Sequence, residues 1–220
     1  MITKITCQEE VRHITPFSIE TNGKSVIFAG DNGCGKSTLL NGIATICYKI
    51  KKKRLFFESN DNLTHAFQVD IDENKVTDVV TYFQSDNFKT KSFFDGDIAT
   101  HIQGLHHSSG ESLFVQILRL VRNTSNGSIF FLDEPDGGLS YFNQKLLSAM
   151  FAKKAIAEGN QFFIASHNEK IWDLAENFPD NFLLFNMETK EITTKEKLIA
   201  YYDAKLADFF KNKIATENRK

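Results

Sequence analysis

Hydrophobic and polar positions divide this chain into short apolar runs bounded by polar turns, with a few longer stretches at helical spacing. Residues 2–6, 12–19 and 25–29 read as three strands of a β-rich entry. The third, Ser25-Val26-Ile27-Phe28-Ala29, has the continuous apolar character of a buried strand, and residues 39–47 follow it as a helix. Residues 66–71 alternate apolar and polar, as a half-exposed strand does. Asp72-Glu73-Asn74-Lys75 then reads as a turn into a second strand over 76–83, which predicts a hairpin. Residues 87–107 read as loop plus a short helix. Residues 112–121 have helical spacing with a buried stripe, and Ser108 or Ser109 is placed to cap them. Apolar runs at 128–132, 161–165 and 181–186 predict three more strands. Over 194–214, Leu198, Tyr202, Leu206, Phe209 or Phe210, and Ile214 recur at helical spacing, which predicts a core or covering helix. Residues 215–220 should fray.

The junction between the strand at 25–29 and the helix after it carries the strongest signal. Gly30-Asp31-Asn32-Gly33-Cys34-Gly35-Lys36-Ser37-Thr38 is a glycine, four free positions, then Gly-Lys-Ser, in the strand-to-helix setting a phosphate loop requires. Glycines let such a loop wrap a polyphosphate with inward-pointing N–H groups, and the helix N-terminus adds positive potential. Lys36 can then reach the β- and γ-phosphates, and the Ser37 hydroxyl can ligate Mg²⁺. The expectation is a nucleoside triphosphate site.

Two other strands end in chemistry. The run at 128–132 delivers Asp133-Glu134, and ligands of open α/β sheets collect at the carboxyl ends of strands. Asp133 can hold the Mg²⁺ through water, and Glu134 can orient or deprotonate the attacking water. The run at 161–165 delivers Ser166-His167, and a neutral-pH imidazole can hydrogen-bond a phosphate or a lytic water. His101, His106 and His107 raise the possibility of a metal site. Adjacent histidines do not share a helix face, and no cysteine or carboxylate partner is evident, so a polar loop is the simpler reading. The basic run Lys49-Ile50-Lys51-Lys52-Lys53-Arg54 reads as the solvated end of a helix rather than a nucleic-acid contact.

Composition narrows the setting. A length of 220 residues suits one domain, and the net charge of −2 sets up no basic field toward nucleic acid. Three widely spaced cysteines argue for a reducing compartment, and the expected location is cytoplasmic. The N-terminus lacks a signal-peptide core, and no apolar run approaches the roughly 18 residues of a membrane span.

Together these residues resemble the ATP-binding-cassette (ABC) ATPases over most of residues 25–170. Gly30–Thr38 looks like the first nucleotide motif, and residues 129–134 look like the second with its catalytic glutamate. His167 looks like the switch histidine, and Gly137-Gly138-Leu139-Ser140 like the loop that crosses to a partner subunit. His107-Ser108-Ser109-Gly110-Glu111 looks like the family signature. It departs at His107 and Ser109, while Ser108, Gly110 and Glu111 fit. Gln84 falls where the family's Mg²⁺- and water-sensing glutamine is expected.

The short interval between Lys36 and Ser108 leaves little room for a transporter-type helical subdomain. That interval and the glutamate ending favour the soluble RecF/SMC-like branch, near the small AAA-family ATPases of bacteria. No long heptad pattern intervenes, so no coiled-coil arm is expected. The resemblance implies an α/β fold: a P-loop NTPase head with a mixed central sheet, an N-terminal antiparallel β region and a reduced helical subdomain. Its single domain would comprise a nucleotide-binding core over about 1–85 and 125–220, and a small signature subdomain over about 86–124. It further implies ATP and Mg²⁺ as ligands, a homodimer around two ATP molecules, hydrolysis, and an effector protein moved by it. Two alternatives stand beside this reading: the nucleotide-binding subunit of a membrane transporter, and an ATP-gated module acting on DNA or a repair or defence effector. The mild acidity weakens the DNA alternative.

Overall fold

The structure is a computed structural model, described here over residues 1–51, 61–75, 80–84 and 109–217. Among the described residues, nine strands form two sheets. The smaller is antiparallel, in the order β2 (Phe17–Glu20), β1 (Ile2–Cys7), β4 (Phe67–Ile71). The larger runs β5 (Val80–Gln84), β6 (Ile129–Asp133), β7 (Gln161–Ala165), β3 (Ser25–Ala29), β8 (Phe182–Asn186), β9 (Glu191–Thr193). Its first five strands are parallel, and β9 returns antiparallel to β8. The described helices are α1 (Lys36–Ile50), α2 (Ser109–Arg122), α3 (Tyr141–Glu158), α4 (Glu169–Asn177) and α5 (Lys195–Glu217).

The central strands β3, β6 and β7 are buried along their whole length and mostly apolar, because both faces of their sheet are covered. Successive side chains alternate between two cores. Val26, Phe28, Phe131 and Phe163 pack with α1 and the small sheet. Ile27, Phe130, Leu132, Phe162 and Ile164 pack with residues of α2, α3 and α4. The paired phenylalanines of β6 and β7 lie in register, so they stack on both faces. Ring centroids are 4.9 Å apart for Phe130–Phe162 and 5.2 Å for Phe131–Phe163. Such pairs add about 0.5–1.5 kcal/mol each beyond their buried area.

Three expectations are corrected. The hairpin over 66–83 does not form: β4 pairs with β1, while β5 joins the central sheet beside β6. A short 3₁₀ turn, Glu73–Lys75, follows β4. The reason lies in the side chains. β4 is covered on one face and alternates, whereas Tyr82 and Phe83 of β5 contact opposite cores. The strand expected over 12–19 shortens to Phe17–Glu20. Val11 and Ile14 instead close a tight turn on each other, with Arg12 in left-handed backbone at φ 54°. The C-terminal helix covers the core only through its first turns. Leu198 is fully buried, and Tyr202 stacks on Trp172 at 6.3 Å. Leu206, Phe209 and Phe210 are half-exposed. Positions 52–54, 76–79 and 85–108 lie outside the described residues. His101, His106, His107 and Ser108 are among them.

Candidate functional site

Parallel pairing brings the chemistry to one edge. Ala29, Gln84, Asp133 and Ala165 end their strands side by side, with Gln84 opposite Asp133 and Asp133 opposite Ala165. The chain leaves β3 directly into the loop Gly30–Thr38. Gly33 and Gly35 hold left-handed backbone at φ 83° and 97°, where L side chains are strained. Lys36 is buried, and its ammonium donates to the carbonyls of Gly30 (2.8 Å) and Asp31 (3.1 Å), curling the loop around it. Cys34 Sγ lies 3.8 Å from the same ammonium. Ser37 and Asn32 are exposed and Thr38 half-exposed. Asp133 is 3% exposed at its strand end, and burial raises the pKa of the Tyr82 phenol, reinforced by the Asp133 charge.

Glu134 is held by an unusual backbone. Its φ of 50° is left-handed, a conformation that costs of order 1 kcal/mol outside glycine and clusters at functional sites. Its N–H donates to the Ala165 carbonyl at 3.0 Å, and its own carbonyl accepts from Gly137 at 3.1 Å. The turn leaves the Glu134 carboxylate 3.6 Å from His167 Nε2. His167 has a pKa below its ordinary value, first from burial and second from the nearby Lys36 charge. The imidazole is therefore neutral at pH 7. Lys36, Glu134 and His167, from three different strand ends, meet in one place.

Several residues that shape this site carried no signal in the sequence. Ile14, at the end of the Val11–Ile14 turn, sits directly under the loop: a Cβ added to Gly35 would lie 2.4 Å from its Cγ1. Arg12 Nη1 reaches Thr38 Oγ1 at 3.4 Å. Asp136 is buried next to the His167 segment. Burial raises its pKa, and the nearby polar side chains of Ser166 and Asn168 oppose the rise. These contacts couple the turn after β6 to the turn after β7. The Gly137–Ser140 stretch exposes its two glycines, buries Leu139, and ends with Ser140 capping α3 through the Asn143 N–H at 3.3 Å. Gly110 and Glu111 lie in the first turn of α2, which begins at Ser109.

Residues 9–220 match the AAA domain family AAA_23. The chain belongs to that family. In fold, this AAA domain is similar to an ATP-binding cassette of an ABC transporter, MJ1267, at 15% identity and a TM-score of 0.54. That likeness covers 88% of this chain and 90% of the other. It is similar to a nucleotide-free ATP-binding cassette from an ABC transporter at 16% identity and a TM-score of 0.50, over 88% and 90%. UvrA2 from Deinococcus radiodurans aligns at 11% identity and a TM-score of 0.51, over 83% of this chain and 35% of that one. No curated protein matches the sequence significantly. The family match and the shared fold bear out the resemblance to ABC-type ATPases of the RecF/SMC-like branch. Among the described residues of the AAA domain, no helix is long and apolar enough to cross a membrane.

Proposed function

We propose that this AAA domain binds ATP with Mg²⁺, dimerises around it, hydrolyses it, and passes the resulting motion to a partner protein. The observation that carries the reading is the convergence of Lys36, Glu134 and His167 beside the loop Gly30–Thr38, with Glu134 and His167 3.6 Å apart. The exposed side of the loop has room for a polyphosphate, since a Cβ on Gly33 would meet nothing within 4 Å. Backbone N–H groups of Asn32, Gly33, Gly35, Lys36, Ser37 and Thr38 would supply donors there, Cys34 would add its own on giving up the Asp31 carbonyl at 3.3 Å, and Lys36 can exchange its loop carbonyls for phosphate oxygens. A hard cation fits the oxygen donors on offer, an exposed Ser37 hydroxyl, the buried Asp133 carboxylate and the Gln84 amide next to it in register. When bound, Mg²⁺ would offset charge on the β- and γ-phosphates.

The chemistry is attack of water on the γ-phosphate. Glu134 aligns the water and takes its proton, and neutral His167 hydrogen-bonds the γ-phosphate or the water. Positioning and electrostatics supply most of the rate. Ser108, Gly110 and Glu111, in the small signature subdomain proposed over about 86–124, would close on the ATP of a facing subunit.

Glu134→Gln tests the assignment, because it removes the base while keeping size and hydrogen bonding. Turnover should fall by roughly a hundredfold or more, while ATP stays bound and the protein elutes as an ATP-loaded dimer on gel filtration. Near-normal phosphate release by this variant would remove Glu134 from the role.

A further inference from the structure

The first free position of the phosphate loop is held from outside the loop. Asp31 donates its backbone N–H to Glu188 Oε1 at 3.1 Å. The second oxygen of Glu188 accepts from Lys205 Nζ at 2.6 Å and from the Tyr201 hydroxyl at 3.1 Å. Lys205 also pairs with the Asp31 carboxylate, which closes a triangle of two acids and one base. Tyr201 and Lys205 are one turn apart on the same face of α5.

Glu188 is itself fixed. The Met187 N–H donates to the Ala29 carbonyl at 2.7 Å, and the Glu188 N–H donates to the buried Asn186 side chain at 2.9 Å. The residue therefore stands in constant relation to the end of β3, where the loop begins. Burial would raise the pKa of Glu188, yet hydrogen bonds from Lys205, Asp31 and Tyr201 hold it below its ordinary value. Without Lys205, two carboxylates would face each other beside a site for a polyanion. The stability gained from half-exposed ion pairs is small. Their placement at the loop is what matters.

We propose that Glu188 and Lys205 are positioning residues for nucleotide binding, through which α5 holds the start of the phosphate loop and neutralises Asp31. The inference rests on the ATP-binding reading above. Neither residue touches the phosphates. They act through the Asp31 backbone and charge, so their effect falls on affinity and spares the chemical step. By linkage, nucleotide binding tightens the contact between loop and α5.

The test has two arms. In nucleotide-free protein, hydrogen exchange should show the Asp31 amide protected in the wild type and exposed in Glu188→Ala. In the second arm, calorimetry with a non-hydrolysable ATP analogue compares Lys205→Met, Lys205→Arg and Lys211→Met, alongside kcat and KM for ATP. Lys205→Met should bind about threefold to tenfold more weakly at low salt, with the gap narrowing at high salt. Its kcat should stay within about twofold of the wild type, and Lys205→Arg should restore affinity, because a cation is retained. Lys211→Met, which removes an exposed Asp208 pair farther along α5, should change nothing. Wild-type affinity in Lys205→Met would overturn the proposal. So would a Lys205→Arg variant as weak as Lys205→Met, which would indicate general damage to α5. Wild-type protein that binds no analogue contradicts the nucleotide reading and the affinity role together. An unprotected Asp31 amide in protein that does bind the analogue contradicts the brace alone.

Discussion

Glu134 and His167 sit 3.6 Å apart, and their protonation states determine what the pair can do. Burial and the Lys36 charge hold the His167 pKa below its ordinary value, so the folded protein resists its protonation. For a histidine shifted in this direction, stability is fully present above the unfolded pKa of about 6.5 and is lost as pH falls through that value toward the folded one. The same protonation would place an imidazolium against Glu134 and tie up the base. ATP turnover should therefore fall on the acid side of neutrality, with an apparent pKa below about 6.5. In His167→Gln, turnover should be lower at pH 7 and that acid limb should flatten. A pH–rate profile of the variant that keeps the wild-type limb would assign it to another group. At this scale the sequence was informative about identity and silent about conformation. Asp133, Glu134 and His167 were readable because each follows an apolar run. The left-handed φ of Glu134 and the buried Asp136 beside Ser166 and Asn168 depend on how two turns meet, and no local pattern encodes that.

Strands and helices were legible where periodicity reports burial directly. β3, β6 and β7 are continuous apolar runs because helices and the small sheet cover both faces of the sheet. Pairing was less legible. Alternation in β4 reports one covered face and leaves open which strand lies beside it, so sequential nearness suggested a hairpin where the structure has two sheets. The Val11–Ile14 turn was hidden in the same way, since its importance comes from the loop it supports. This support predicts a contrast between two glycines. A Cβ at Gly35 would meet Ile14 at 2.4 Å in strained backbone, whereas one at Gly33 would meet only the strain. Gly35→Ala should cost about 2–4 kcal/mol, against about 1 kcal/mol for Gly33→Ala. The former corresponds to a drop in Tm of several degrees for a chain of this size. Thermal unfolding of both, together with Ile14→Ala and the Gly35→Ala/Ile14→Ala double variant, should show coupling between positions 14 and 35. Equal losses for the two glycine variants, with no coupling, would remove Ile14 as the support of the loop.

At the scale of the whole molecule, one chain supplies the loop, the acids and the histidine, while the signature Ser108–Gly110–Glu111 is proposed to serve a facing subunit. That division was legible only through resemblance, because a single sequence carries no mark of which chain a residue will serve. Mixing two inactive proteins tests it. Lys36→Ala should abolish phosphate binding in its own loop, and Ser108→Arg should block the γ-phosphate of the facing subunit. A mixed dimer then has one site with both lesions and one site with Lys36 and Ser108 both intact, contributed by opposite subunits. Trapped nucleotide is the readout, since hydrolysis can require two working sites. The shared-site account predicts that each variant alone traps no ATP, and that the mixture traps up to one ATP per mixed dimer. Mixed dimers shown to form, yet trapping no nucleotide, would mean that Ser108 serves its own subunit, and would contradict the account.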